Sequence, residues 1–220
     1  LPGVPDGLAC SQPEARPPSM SHATGLATGP GAEGAGKLDE AERTLRHVEK
    51  HDEKRRLRAR YYEARIAMKR QQYDAARKQL AELSNHDDKP PGYAELADRI
   101  AFHHAAALQK LEQVKEAAKH FEHFLNRHKQ SDLRQQAHYQ RAVSLHRTEA
   151  YERSIDALQP LKDIDDRSLW QAASELRAEN HFLLGQYDKA DGVYARLIEQ
   201  TDDNDRQWVY RFHRGQAAFF

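Results

Sequence analysis

The chain has 220 residues, and its 34 basic and 34 acidic side chains give a formal net charge of zero at pH 7. This balance argues against a protein that mainly coats nucleic acid, and a mean hydropathy of −0.95 without long apolar runs predicts no membrane-spanning helix. The single cysteine, Cys10, excludes an intramolecular disulfide framework and a cysteine-based zinc site.

Residues 1–36 form a segment rich in proline and glycine, with six of the nine prolines and seven of the eleven glycines. Such a segment cannot bury enough apolar surface to offset the entropy lost on ordering it, so we expect a disordered tether. Gly31 to Lys37 match the spacing of a phosphate-binding loop. Because Leu38 stands where that loop needs Ser or Thr, nucleotide binding is not expected.

From residue 37 onward, one pattern of apolar residues occurs five times. Its offsets of 0, +3, +7 and +10 from an anchor residue place four side chains on one stripe of a helix. The anchors are Leu38, Tyr73, Val114, Tyr151 and Tyr187, which are 35, 41, 37 and 36 residues apart. Self-similarity at this period predicts stacked helical units over residues 37–220.

The units follow one another along the chain, separated by polar loops whose last residues suit helix caps. The first copy has no helix before it and predicts a half-unit, and the last copy opens a fifth unit. The predicted half-unit is 37–50, the predicted hairpins are about 56–83, 93–127, 132–162 and 168–200, and the fifth unit is 206–220.

Small residues recur at two places in each complete unit, nine positions before the anchor and three after it. Two helices of a hairpin approach closely only where the side chains at their crossing are small. We predict that these positions, together with three tyrosine anchors, pack the repeats. They are Ala64, Tyr73, Ala76, Ala105, Ala117, Ala142, Tyr151, Ser154, Ala178, Tyr187 and Ala190, with Gly215 in the fifth unit.

This arrangement resembles the tetratricopeptide repeat (TPR) family. Gly-Gln-Tyr-Asp-Lys-Ala at 185–190 and Glu-Ala-Tyr-Glu-Arg-Ser at 149–154 are similar to the family's turn and second-helix start. The family's tryptophan and its proline after the second helix are absent, and Arg-Ala or Arg-Gly replaces its Leu-Gly pair. The resemblance implies an all-α fold, a right-handed superhelix of antiparallel helix hairpins.

Residues 118–142 are similar to the longer repeats of bacterial cell-envelope proteins, such as the Tol–Pal accessory protein and outer-membrane assembly lipoproteins. The Tyr-Pro pair usual near His128 is missing. The resemblance implies a role in the bacterial periplasm or cell envelope.

The first helices of this family line a concave face on which partner segments bind. Here that face would combine arginines with aromatic residues, as binding hot spots do, and so implies a non-enzymatic scaffold for a protein or peptide partner. The alternative for the aromatic residues is core packing between units. The implied groove residues are Arg58, Tyr61, Arg65, Arg99, Phe102, Tyr139, Val143, His146 and Phe182.

The family's clamp for the C-terminal carboxylate of chaperones is not expected in this groove. That clamp uses lysine, asparagine and arginine at fixed places in the first helices. Its places are occupied by Tyr61, Arg65, His103, Gln136 and Gln140.

Catalytic, cofactor and metal sites are not predicted. His120 and His123 are spaced as an i, i+3 pair, but no third ligand points to the same place. Two alternatives stay open. In the first, the chain would be a targeting or regulatory module of a larger enzyme with a catalytic domain beyond Phe220. In the second, it would self-associate through the aromatic residues of the fifth unit, such as Trp208 and Phe212.

Charge is unevenly distributed along the chain. Residues 43–70 contain eleven basic and four acidic residues, a balance of +7, whereas residues 149–205 contain fourteen acidic and six basic residues, a balance of −8. This polarity would steer an oppositely polarised partner or a second copy, and the alternative is a solvated helix face. Nucleic-acid binding by the basic run at 54–60 is not expected, because no binding motif accompanies it.

Overall fold

The computed structural model describes residues 32–84 and 92–219, and all regular structure in these ranges is helical, so the all-α prediction is confirmed. Residues 1–31 of the tether predicted at 1–36 lie outside the described residues. The first helix begins at Ala32, so the last five residues of the predicted tether are helical. The described helices are α1 (Ala32–His51), α2 (Glu53–Lys69), α3 (Tyr73–Ser84), α4 (Tyr93–Lys110), α5 (Val114–Arg127), α6 (Arg134–His146), α7 (Tyr151–Leu158), α8 (Arg167–Leu183), α9 (Tyr187–Gln200) and α10 (Asn204–Phe219), with a 3-10 helix at Gln159–Leu161.

The chain divides into two units, Leu1–Lys37 and Leu38–Phe220. In the second unit, α2, α4, α6, α8 and α10 are the first helices of successive repeats. The second helices are α3, α5, α7 and α9. Each second helix packs against its own first helix and against the next one, which produces a solenoid of antiparallel hairpins.

The turn inside each hairpin contains one residue in the left-handed region, two positions before the anchor. These residues are Gln71, Glu112, Glu149 and Gly185, with φ between 60° and 68°. The amide of the following residue donates to a carbonyl five residues earlier, as in the bond of 2.9 Å from Gln72 to Ala67. This is the Schellman end of a helix, so each second helix begins at its anchor.

The core is a series of four apolar clusters rather than one centre. Each cluster centres on a second helix and its two neighbouring first helices, as where Leu80 and Leu83 of α3 share a cluster with Leu57 of α2 and Ile100 of α4. The small residues at the hairpin crossings have no solvent exposure. They are Ala64, Ala76, Ala105, Ala117, Ala142, Ser154, Ala178 and Ala190.

The other predicted packing residues lie nearer the surface. Tyr73, Tyr151 and Tyr187 are half-buried, and the ring of Tyr187 lies edge-on to Phe182 with centroids 5.3 Å apart. Gly215 on α10 is exposed, and a Cβ atom added there would have no neighbour within 4 Å. Within the described chain, no second helix covers this position.

Candidate binding surfaces

The first helices lie closer to each other than the second helices do. α2 packs against α4, α4 against α6, and α6 against α8, whereas no successive pair of second helices among the described residues packs together in this way. On the side of the repeats formed by the first helices, helices of successive repeats therefore lie closer together. We call it the first-helix surface.

Three of the aromatic residues predicted for this surface are buried. Tyr61, Phe102 and Tyr139 are at most 8% exposed. The Phe102 ring lies edge-on to Phe121 and Phe124 of α5, with centroids 5.6 and 5.8 Å apart. These residues therefore contribute to the packed core rather than to open contact area. The apolar stripe that predicted them is the same for both roles.

The remaining predicted residues are accessible. Arg58 and Arg99 are exposed, and Arg65, Val143, His146 and Phe182 are half-buried. Arg58 is ion-paired with Glu95 of α4 at 2.9 Å. The surface therefore presents arginines on α2 and α4.

The arginines also affect a neighbouring histidine. Burial, together with the positive charges of Arg65 and Arg99, lowers the pKa of His103 to about 4. Its ring centroid lies 5.9 Å from that of Tyr61, whose own pKa is raised by burial. His103 is therefore neutral at pH 7, and the charge at this end of the surface comes from arginine.

The other end of the first-helix surface is acidic. Burial and then the charges of Glu175 and Glu179 on α8 raise the pKa of Tyr139 to about 12. The hydroxyl of Tyr210 donates to Glu175 and accepts a bond of 2.7 Å from Gln171. Arginines on α2 and α4 and carboxylates on α8 thus give this surface opposite charges at its two ends.

A cleft lies on the second-helix side of the repeats. It is a cleft of about 640 Å³ with α7 and α9 as its walls and α8 as its floor. Its walls are formed by second helices, so it is separate from the first-helix surface. This cleft was not predicted from the sequence.

The histidines do not form a metal site in the described chain. His120 meets the His104 ring edge-on at 4.8 Å, and burial lowers the pKa of His104 to about 4. No group of three or more His, Cys, Asp or Glu side chains in residues 32–84 and 92–219 is arranged to hold a metal ion. Across the same ranges, no helix combines the length and apolar character needed to cross a membrane.

The N-terminal part of the solenoid is similar to a known family of repeats. Residues 32–100, which include α1 to α3 and the first half of α4, match the family model described as tetratricopeptide repeat. This part of the chain is therefore similar to tetratricopeptide repeats. TPR repeats generally mediate protein–protein interaction, and the fold is typically a non-catalytic scaffold.

The solenoid also resembles a solved structure. A crystal structure of a single-residue variant of nearly identical TPR-like repeats, from a candidate kinesin light chain of Podosopora anserina, aligns with a TM-score of 0.57 at 14% identity. The alignment covers 76% of this chain and 86% of that chain. At this identity the likeness shows the fold alone, and it supports the TPR-like solenoid. No curated protein sequence matches the chain.

Proposed function

We propose that the chain is a non-enzymatic scaffold that holds an extended or helical segment of a partner protein on its first-helix surface. The opposite charges at the two ends of this surface carry the proposal: Arg58 and Arg99 are exposed at one end, and Glu175 and Glu179 lie at the other. Complementary charge orients a partner and speeds its association. The partner segment is expected to be acidic where it meets α2 and α4, and basic where it meets α8.

Selection of peptides from a displayed random library against the full chain tests this proposal. Arg99→Glu reverses one exposed charge on α4 and should weaken the selected peptides at least about tenfold, mainly through slower association. Lys115→Glu makes the same charge change on the exposed side of α5 and is the matched control. Equal loss in both variants, or no loss in either, would contradict the assignment of this surface.

We further propose a role in bacterial envelope assembly. Its support is the likeness of residues 118–142 to envelope-protein repeats, together with the TPR-like fold. Fractionating cells that express the complete reading frame would test it. Recovery in the cytosolic fraction alone would reject this role and leave the binding proposal intact.

Self-association through α10 is a second candidate function. Trp208, Phe212 and Phe219 are 66%, 64% and 83% exposed, and exposed apolar residues of this size mark contact sites. The Trp208→Lys, Phe212→Lys double variant should remove any rise of mass with concentration in sedimentation. A parent chain whose mass does not change with concentration would exclude this candidate.

A further inference from the structure

Arg177 on α8 is a buried guanidinium whose hydrogen bonding is incomplete. The residue is 5% exposed, and its Nη2 donates a bond of 3.0 Å to the hydroxyl of Ser174, which is itself buried. Its Nη1 has no hydrogen-bond partner in the described chain. A buried donor without a partner costs folding free energy, so such donors are rare without a compensating role.

Two other arginines occupy the same place in neighbouring repeats, immediately before the small residue of the first helix. Each is paired with a carboxylate from the preceding second helix. Arg141 donates to Glu122 at 2.7 Å, and Arg214 donates to Asp191 at 2.6 Å. Among the buried side-chain nitrogens of Arg141, only Nε has no hydrogen-bond partner in the described chain. This repeat position is thus built for an arginine–carboxylate pair.

The second helix before Arg177 offers no carboxylate at either of these pairing positions. By their distance from the anchor, Gln159 and Ile155 stand where the other repeats have Glu122 and Asp191. Both residues line the cleft between α7 and α9, and so does Arg177. The group missing from the protein would therefore occupy the cleft.

The charges in the cleft are arranged for an anion. Lys162, Lys189 and Arg196 also line it, against two carboxylates, Glu152 and Asp156. Neither carboxylate is paired with Arg177. The acidic side chain whose charge acts on Arg177 is Asp163, and it already accepts a bond of 3.2 Å from Arg196.

Apolar side chains lie beside the basic ones. Trp170, Ile155 and Val193 line the same cleft, and the Trp170 indole is held by its bond of 3.0 Å to the Lys162 carbonyl. The guanidinium of Arg196 lies 5.8 Å from the centre of the Trp170 ring. A cleft of about 640 Å³ with this lining is large enough for a few side chains of a peptide.

We propose that this cleft is a second binding site, which takes a glutamate or aspartate carboxylate of an acidic peptide segment from a partner protein on Arg177, with a neighbouring apolar residue against Trp170. The site lies on the second-helix side and is independent of the first-helix surface. A carboxylate fits better than a phosphate, because carboxylates pair with the equivalent arginines and because Glu152 and Asp156 would repel a dianion.

Fluorescence anisotropy with the full chain and three labelled peptides tests the proposal. The peptides carry a glutamate, a glutamine or a phosphoserine between two leucines. The glutamate peptide should bind saturably, and the glutamine peptide at least about tenfold more weakly, since it lacks the charge that a buried guanidinium requires. Equal binding of these two, or preference for the phosphoserine peptide, would overturn the assignment.

Two variants at the same repeat position locate the effect. Arg177→Gln should weaken the glutamate peptide at least about tenfold, whereas Arg141→Gln, whose arginine is already paired, should leave binding unchanged. Arg99→Glu on the first-helix surface should also leave it unchanged, which separates this site from the proposed scaffold function. Equal effects of Arg177→Gln and Arg141→Gln would overturn the proposal.

A variant that supplies the missing carboxylate tests the proposal without removing Arg177. Gln159→Glu places a carboxylate where the repeat pattern has one in Glu122. It should fill the role of the ligand, raise the melting temperature and abolish binding of the glutamate peptide. Unaltered peptide binding by this variant, with the chain folded, would overturn the proposal.

Discussion

The side-chain amide of Asn180 donates a hydrogen bond of 2.8 Å to the hydroxyl of Ser154, which in turn donates one of 2.8 Å to the carbonyl of Ala142. The amide oxygen of Asn180 lies 2.7 Å from Nδ1 of His146. Asn180 and Ser154 are fully buried. One asparagine therefore connects α6, α7 and α8 through polar contacts that an alanine at position 154 could not complete.

This connection predicts a strong coupling between the two residues. Ser154→Ala restores the residue found in the other repeats but leaves the Asn180 amide without its acceptor, and it should cost about 1–3 kcal/mol. Asn180→Leu should cost a similar amount. Because both remove the same bond, the double variant should cost less than the two together in urea unfolding. Strictly additive losses would mean that the bond contributes nothing.

Substitutions at the equivalent positions Ala142 and Gly215 should change the free energy of unfolding in opposite directions. Ala142→Leu forces a large side chain into a fully buried crossing and should lower the free energy of unfolding by about 1–3 kcal/mol. Gly215→Ala adds a methyl group where no atom lies within 4 Å, and should raise it by about 0.5–1 kcal/mol through helix propensity. Thermal unfolding checks both substitutions. If both changed the stability in the same direction, the helix pairing would be refuted.

The repeat fold could be predicted from the sequence because it depends on the spacing of residues close together in the chain. The anchors Tyr73, Val114, Tyr151 and Tyr187 each begin a second helix, since a fixed turn precedes each of them. Spacing alone determines which side chains share a stripe. The hairpin arrangement follows from it.

The binding surfaces were harder to predict from the sequence, for a physical reason. Tyr61, Phe102 and Tyr139 fit a groove stripe and an inter-unit stripe equally well, and only the distance between neighbouring helices places them in the core. The cleft at Arg177 depends on the absence of a carboxylate from the two pairing positions that follow Tyr151. One sequence signal does point to it. An arginine precedes the small residue in three repeats, but an acid stands four or eight positions after the preceding anchor in only two of them.

The hairpin turns predict a stabilising substitution. Glu149 adopts φ 60°, a left-handed conformation that costs a residue with a Cβ atom about 1 kcal/mol, and Gly185 fills the same place in the next repeat. Glu149→Gly should therefore raise the midpoint of urea unfolding. Gly185→Ala should lower it, and a gain from this second substitution would show that the turns are not equivalent.

Burial of His103 predicts a loss of stability in acid. Its folded-state pKa of about 4 lies below its ordinary value of 6.5, so the unfolded chain binds the proton more readily. The free energy of unfolding should fall as the pH falls from about 6.5 towards 4, by up to about 3 kcal/mol for this residue. Urea unfolding at several pH values should show a weaker pH dependence in His103→Gln. The exposed His123→Gln variant is the control, and an identical reduction in both would contradict this assignment.

The incomplete hydrogen bonding of Arg177 predicts that stability and binding oppose each other at this residue. Arg177→Met removes a buried, unpaired guanidinium and keeps most of the apolar stem, so the free energy of unfolding should stay equal or rise by about 1 kcal/mol or more. Arg141→Met breaks a pair with Glu122 and should lower it by about 1 kcal/mol.

Urea unfolding of the two methionine variants, measured beside the parent chain, distinguishes the two roles an arginine can have here. A packing residue stabilises the fold it belongs to, and a group retained for a ligand does not need to. If Arg177→Met loses as much stability as Arg141→Met, the guanidinium has a structural partner within the protein. If it gains stability while the glutamate peptide no longer binds, the arginine is present for the peptide.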